Sequence, residues 1–222
     1  MKLFDRLKAA NEDVWQDYTH HEFVQGVQSG QLPEKAFQFY LKQDYLFLMH
    51  FARAYALAAY KADNLADMKA ASETVTALVD TEMRLHVEYC AGWGITEAQM
   101  QAIEEAPENM AYTRYVLEKG MSGDILDLYV ALAPCVIGYG DIGTRLIKSS
   151  DTKRSGNPYT AWIEMYGGDE YQPVSEAAAA QIDRLAETRF TEARFASLSK
   201  TFREATKLEV GFWQMGLDAL KS

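Results

Sequence analysis

Two carboxyl groups and a thiol stand where amphipathic helices should carry apolar side chains. Asp44 interrupts the stripe Phe37, Leu41, Leu48, Phe51 and Tyr55, whose three- and four-residue steps mark one face of a helix. Glu209 interrupts a second stripe, Leu198, Phe202, Ala205, Phe212, Trp213 and Leu220. Taking a carboxylate out of water costs several kcal/mol unless it is paired, hydrogen-bonded or protonated. For one such acid, an ion pair with an Arg or Lys of another helix is as good an account as a functional role; a second acid tips the balance toward function. Cys135 is the third group. Alone, a buried cysteine is ordinary packing, but Pro134 beside it cannot donate to the Val130 carbonyl and should kink the helix. Tyr139 lies one turn on, so thiol and phenol share a face. Cys90, at a helix end beside Gly92, has no such company and is read as structural. Tyr112 and Tyr115 follow a helix start, and Trp162 with Tyr166 are spaced i, i+4. Such aromatics are usually core, yet two acids, a thiol and several phenols suit a flat heteroaromatic ligand, stacked on its faces and held by its ring nitrogens.

Two competing chemistries are weaker. The segment PCVIGYGDIG (134–143) contains Gly138, Gly140 and Gly143 in the spacing G-x-G-x-x-G. A dinucleotide fingerprint needs a strand before those glycines and βαβ units around them; Pro134 would sit inside that strand, and no alternating strand pattern occurs. The glycines are therefore read as small residues that let helices approach closely. Glu82 and His86 are i, i+4, with His20, His21 and His50 completing the histidines. A helical di-metal site draws Glu and Glu-x-x-His ligands from several helices, and no histidine follows position 86. No metal and no cofactor are expected; His86 is read as a hydrogen-bonded helix residue and Glu82 as its neighbour.

The elements that must position these residues are all helical. One helix starts at Pro33, another runs from about Leu65 to Glu88 and ends at AGWG, and Thr96 with Glu97 forms a fresh N-cap. APEN (106–109) precedes a helical stretch through Glu118, and KGMSGD (119–124) breaks it. From Asp124 a long helix carries Leu128, Leu132, Cys135, Tyr139, Ile142 and Leu146 on one side. SGNP (155–158) is a turn, YTAWIEMYGG a short helix stopped by Gly167 and Gly168, and two helices past Pro173 flank AETRFTEARF. The fold class is all-α, in one domain spanning 1–222.

Composition narrows the function further. Lys plus Arg total 22 against 32 Asp plus Glu, a net charge of −10, which opposes nonspecific attraction to nucleic acid or anionic membranes. The N-terminal segment carries acids throughout, no later run approaches the roughly 20 apolar residues of a membrane span, and two cysteines make no disulfide framework. A cytoplasmic protein with reduced thiols and a small-molecule partner is expected.

At these residues the chain resembles the TenA family, the thiaminase II or aminopyrimidine aminohydrolase enzymes. The similarity is carried by HEFVQGVQSGQLPEKAFQFYLKQDYLFL (21–48), YTRYV (112–116), LAPCVIGYGDIGTRL (132–146), NPYTAWIEMYGG (157–168) and LEVGFWQM (208–215). It implies a haem-oxygenase-like helical bundle, a homotetramer, and a hydrolase that separates an aminopyrimidine methyl group from an amine, or from the thiazolium of thiamin, in thiamin salvage. By that pattern Cys135 is the nucleophile, Asp44 and Glu209 hold the amino group and ring nitrogens, and Tyr112, Tyr139 and Tyr166 line the site. Glu209 is also the acid expected to protonate the ring. Phe47 stands where family members often carry Tyr, which removes a hydrogen bond near the thiol but keeps stacking; Glu22 stands where Pro is common. The alternatives are a metal-dependent oxidase of the same fold and a regulatory protein acting on gene expression.

Overall fold

The computed structural model describes residues 1–221, and among them there are twelve α-helices and no strand. Three short helices open the chain: α1 (Leu3–Ala10), α2 (Glu12–Thr19) and α3 (Glu22–Ser29). Long α4 (Glu34–Lys61) follows, then α5 (Leu65–Thr76), α6 (Met83–Ala91), α7 (Glu97–Gln101) and α8 (Pro107–Ser122). The second half holds α9 (Ile125–Lys148), α10 (Thr160–Gly167), α11 (Gln172–Arg189) and α12 (Phe195–Asp218). The bundle wraps around α9, which packs against α8, α10, α11 and α12, while α4 closes the far side against α5, α8 and α12.

The local signals explain where the helices start. Pro33 precedes α4, and Pro107 opens α8, which runs on to Ser122. Thr96 and Gln99 form a reciprocal capping box on α7. Asp124 and Asp127 form another on α9, and the Arg194 guanidinium clamps both carboxylates. A capping box satisfies backbone donors that the first helical turn leaves free, so the register of α9, and with it the direction of Cys135 and Tyr139, is fixed at its entrance.

Two expectations need correction. The single helix expected over Leu65–Glu88 is interrupted by a π-helical turn at Ala77–Glu82 between α5 and α6. A π turn inserts extra residue per turn and rotates the face that follows it; beyond it His86 and Cys90 point inward while Leu85 is exposed. Leu220 does not continue the apolar face of the last helix, because α12 ends at Asp218 and the Leu220 side chain is exposed. A third point concerns α9, which is long and apolar enough to cross a membrane by length and composition. Of its apolar window 83% is buried inside the protein, so its hydrophobicity is that of a central core helix covered on every side.

α9 stays helical through Pro134. The Tyr18 hydroxyl donates to the Pro134 carbonyl at 3.2 Å and the Tyr171 hydroxyl to the Val136 carbonyl at 3.0 Å. The three glycines on this helix are contact surfaces. A Cβ at Gly138 would lie 2.8 Å from the Tyr18 hydroxyl, at Gly140 2.5 Å from Ser175 Oγ, and at Gly143 2.6 Å from the Tyr166 carbonyl oxygen. The last is a backbone-to-backbone approach with no flexible side chain to yield. Gly143→Ala is therefore expected to force α9 and α10 apart at a cost of about 1–3 kcal/mol, read as a fall in Tm of roughly 3–10 °C; an unchanged melting curve would show that the approach is not needed.

Candidate active site

The interior of the bundle collects groups from six segments. Along α4, Tyr40, Asp44, Phe47 and Phe51 all point inward. α8 brings Tyr112, α9 brings Cys135 and Tyr139, α10 brings Trp162 and Tyr166, and α12 brings Glu209, Phe212 and Trp213. The π turn and the first turn of α6 that follows it add Glu82 and His86. Asp44 is 4% exposed and Glu209 1%, so neither carboxyl is hydrated from the outer surface.

Asp44 is not paired with an Arg or Lys. Its Oδ2 lies 2.5 Å from His86 Nε2, and the Tyr40 hydroxyl donates to the same oxygen at 3.4 Å. The Tyr40 hydroxyl in turn meets Tyr139 Oη at 3.2 Å and receives Trp162 Nε1–H at 3.3 Å. Glu209 accepts from the Tyr112 hydroxyl at 2.9 Å, and Glu82 accepts from the Tyr166 hydroxyl at 3.3 Å. The walls are rings: Phe47 packs on Tyr112 and Phe212 with centroids 5.2 and 5.3 Å apart, and Tyr139 on Tyr166 and Trp213 at 4.7 and 5.3 Å. Behind them Trp213 stacks on Tyr18 and Phe23, which gives the three opening helices a supporting role.

The electrostatics follow from burial among acids. Burial pushes the Glu209 carboxyl up to about 8, with the Asp44 charge adding to the effect and the Tyr112 hydrogen bond opposing it. Glu82 is raised by burial and by Asp44, against His86 and the Tyr166 hydrogen bond. His86 moves the other way. Burial disfavours its charged form, but the charge and hydrogen bond of Asp44, together with Glu82, hold the imidazole up to about 9. The Cys135 thiol is pushed well above its ordinary value by burial and by Glu209, Glu82 and Asp44. Cys135, Asp44 and Glu209 thus share one electrostatic environment, and at neutral pH the sulfur is protonated, Glu209 is a neutral acid and His86 is a cation.

Phe47, Tyr112, Tyr139 and Tyr166 are all brought to this interior. Tyr115 is not; its hydroxyl reaches the Thr201 carbonyl near the surface. Cys90 is fully buried, and burial raises its thiol to about 11. Glu82 and His86 escaped the sequence reading as site residues. Their i, i+4 spacing was visible, but what turns both toward Asp44 is the π turn, and hydrophobic periodicity carries no sign of it. Among the described residues, no three His, Cys, Asp or Glu are grouped so as to hold a metal ion.

A family model described as the TENA/THI-4/PQQC family matches residues 8–219. The chain is 35% identical over 205 residues to the aminopyrimidine aminohydrolase of Halalkalibacterium halodurans, covering 92% of this chain and 90% of that one. The crystal structure of a protein from Silicibacter sp., described as a TenA family transcription regulator, superposes with a TM-score of 0.92 at 48% identity, covering 97% and 96% of the two chains. A domain from Shewanella denitrificans with a haem-oxygenase-like fold superposes at a TM-score of 0.72 and 14% identity, over 98% of this chain and 93% of that one; at that identity the likeness is one of fold, and the bundle is haem-oxygenase-like.

Glu209 links the site to stability. Its folded value lies above the 4.5 of a free carboxyl, so its contribution is fully present below about pH 4.5 and is lost as pH rises through about 8. Glu209→Gln keeps an acceptor for Tyr112 but has no charge to bury. Urea unfolding should find the variant more stable than the wild type at pH 8, by on the order of a few kcal/mol, and little changed near pH 4.5. Equal differences at both pH values would mean that ionisation of Glu209 is not what the fold resists.

Proposed function

The chain belongs to the TENA/THI-4/PQQC family, and from that premise we propose that it is an aminopyrimidine aminohydrolase of the thiaminase II type, releasing hydroxymethyl-aminopyrimidine from aminomethyl-aminopyrimidine or thiamin in thiamin salvage. The observation that carries this reading is the pairing of a neutral acid, Glu209, with the hydrogen-bonded Asp44–His86 couple near one thiol and among aromatic rings. An aminopyrimidine offers what such a slot lacks: amino N–H donors for a carboxylate, a basic ring nitrogen for an acid, and a face for Phe47 and Tyr139 to cover.

In this proposal Asp44 accepts from the exocyclic amino group and Glu209 gives its proton to a ring nitrogen, which makes the ring electrophilic. The Cys135 sulfur then adds to a ring carbon. A carbon–sulfur bond forms, the electron pair moves through the ring, and the bond from the exocyclic methylene to the leaving nitrogen breaks. Water adds at that methylene, one of its protons returns to the acids, and the sulfur departs with its electron pair. The thiol is neutral in the free site; as sulfur adds, its proton passes through the neighbouring Glu82 carboxyl to the leaving nitrogen, which departs as the neutral amine.

Phe47 supplies stacking with no hydroxyl to reach the sulfur. A cytoplasmic homotetramer is part of the same proposal; exposed Met110 and Met121 on α8 give apolar surface for assembly. A gene-regulatory role, as the Silicibacter protein is described, has less support here, since the net charge of −10 opposes contact with DNA phosphates.

Cys135→Ser tests the nucleophile. Turnover of aminomethyl-aminopyrimidine should fall on the order of 10³-fold or more, while calorimetry finds the aminopyrimidine product bound within about threefold of wild type; unchanged turnover removes Cys135 from the reaction. Wild-type kcat should also decline as pH rises through about 8, where Glu209 loses its proton, and Glu209→Gln should be slower with that limb gone.

A further inference from the structure

His86 has a role that nothing above assigns, and its hydrogen bonds define it. Nδ1 lies 2.9 Å from the backbone carbonyl oxygen of Glu82. A carbonyl can only accept, so Nδ1 carries a hydrogen and the imidazole tautomer is fixed. Nε2 then faces Asp44 Oδ2 at 2.5 Å, a separation that requires one proton between the two atoms. Both residues are nearly inaccessible, at 2% and 4% exposed. Tyr40 also donates to Oδ2, and among the described residues no hydrogen bond falls on Oδ1. One oxygen of Asp44 is spent on the protein and the other is free to accept.

We propose that His86 is a positioning residue for pyrimidine binding: anchored through Nδ1 on the Glu82 carbonyl, it holds Oδ2 of Asp44 with Nε2 and so commits Oδ1 to accept from the amino group of the ligand. The inference rests on the aminopyrimidine reading above. The groups facing the pair are Asp44 and Tyr40 from α4, Glu82 on the turn before α6, Cys135 and Tyr139 from α9, Tyr166 from α10 and Glu209 from α12. His86 is the one group among them that can carry positive charge. Without it, Oδ2 keeps only the 3.4 Å contact with the Tyr40 hydroxyl, and the carboxyl is no longer held with Oδ1 toward the ligand. The π turn makes this possible, because it aims His86 at α4 while leaving the Glu82 carbonyl in line with Nδ1.

The experiment is a pair of variants read by binding of hydroxymethyl-aminopyrimidine, with imidazole NMR as an independent measurement. His86→Leu should weaken binding at pH 7 by about 10–100-fold, the range for a hydrogen bond to a charged group. His86→Gln keeps an N–H donor for Oδ2 and should restore most of the affinity. Binding by His86→Leu equal to wild type, or equal losses in both variants at every pH, would overturn the proposal, the latter marking a packing role. In the wild type the His86 ring should titrate near 9, and in Asp44→Asn below the ordinary 6.5 of histidine; a wild-type ring titrating below 6.5 would overturn the shared proton even if the variants fail to fold. Should the wild type neither bind nor cleave aminopyrimidines, the functional reading fails, and a ring titrating near 9 would show that it failed for a reason other than the Asp44–His86 pair.

Discussion

Asp44 sits in the middle of the buried face of α4, and the 2.5 Å contact with His86 gives it a partner there. A carboxyl as buried as this is neutralised by protonation when it has no partner. Glu209 shows that outcome a few side chains away, held as a neutral acid by the same burial. The protein thus gives two acids in one interior different partners: Asp44 meets an imidazole, while Glu209 has only the Tyr112 hydroxyl.

That arrangement asks for precise helix placement, since each group arrives on a different segment. α9 is the reference. Its start is fixed by the Asp124–Asp127 capping box under Arg194, and its glycines let Tyr18, Ser175 and the backbone of α10 come close. The approach at Gly143 carries Tyr166 into reach of Glu82 and against Tyr139. What looks in sequence like a phosphate-binding loop is a packing surface, and its last glycine, Gly143, lies one turn beyond Tyr139. The cost is a thiol that is far from a thiolate at rest. Reactive cysteines usually sit in electropositive surroundings; this one is among acids.

The amino-acid sequence by itself determined the helical class, the elements from Pro33 onward, and the candidates Asp44, Cys135 and Glu209, because a polar residue on an apolar helical face is visible wherever the period is regular. It also showed that the G-x-G-x-x-G spacing lacked the strand a dinucleotide site requires. Partners were beyond it. That Asp44 meets an imidazole and not a guanidinium depends on contact between α4 and α6, 42 residues apart in the chain, and that His86 faces inward at all depends on a π turn which inserts a rotation that no hydrophobic pattern reports. Leu220 differs in the opposite sense: the period continues in the sequence, while the helix stops at Asp218 and leaves Leu220 exposed. Local chemistry selects which residues are out of place; only the packing of one helix on another decides what they touch, and here that contact sets where the protons are.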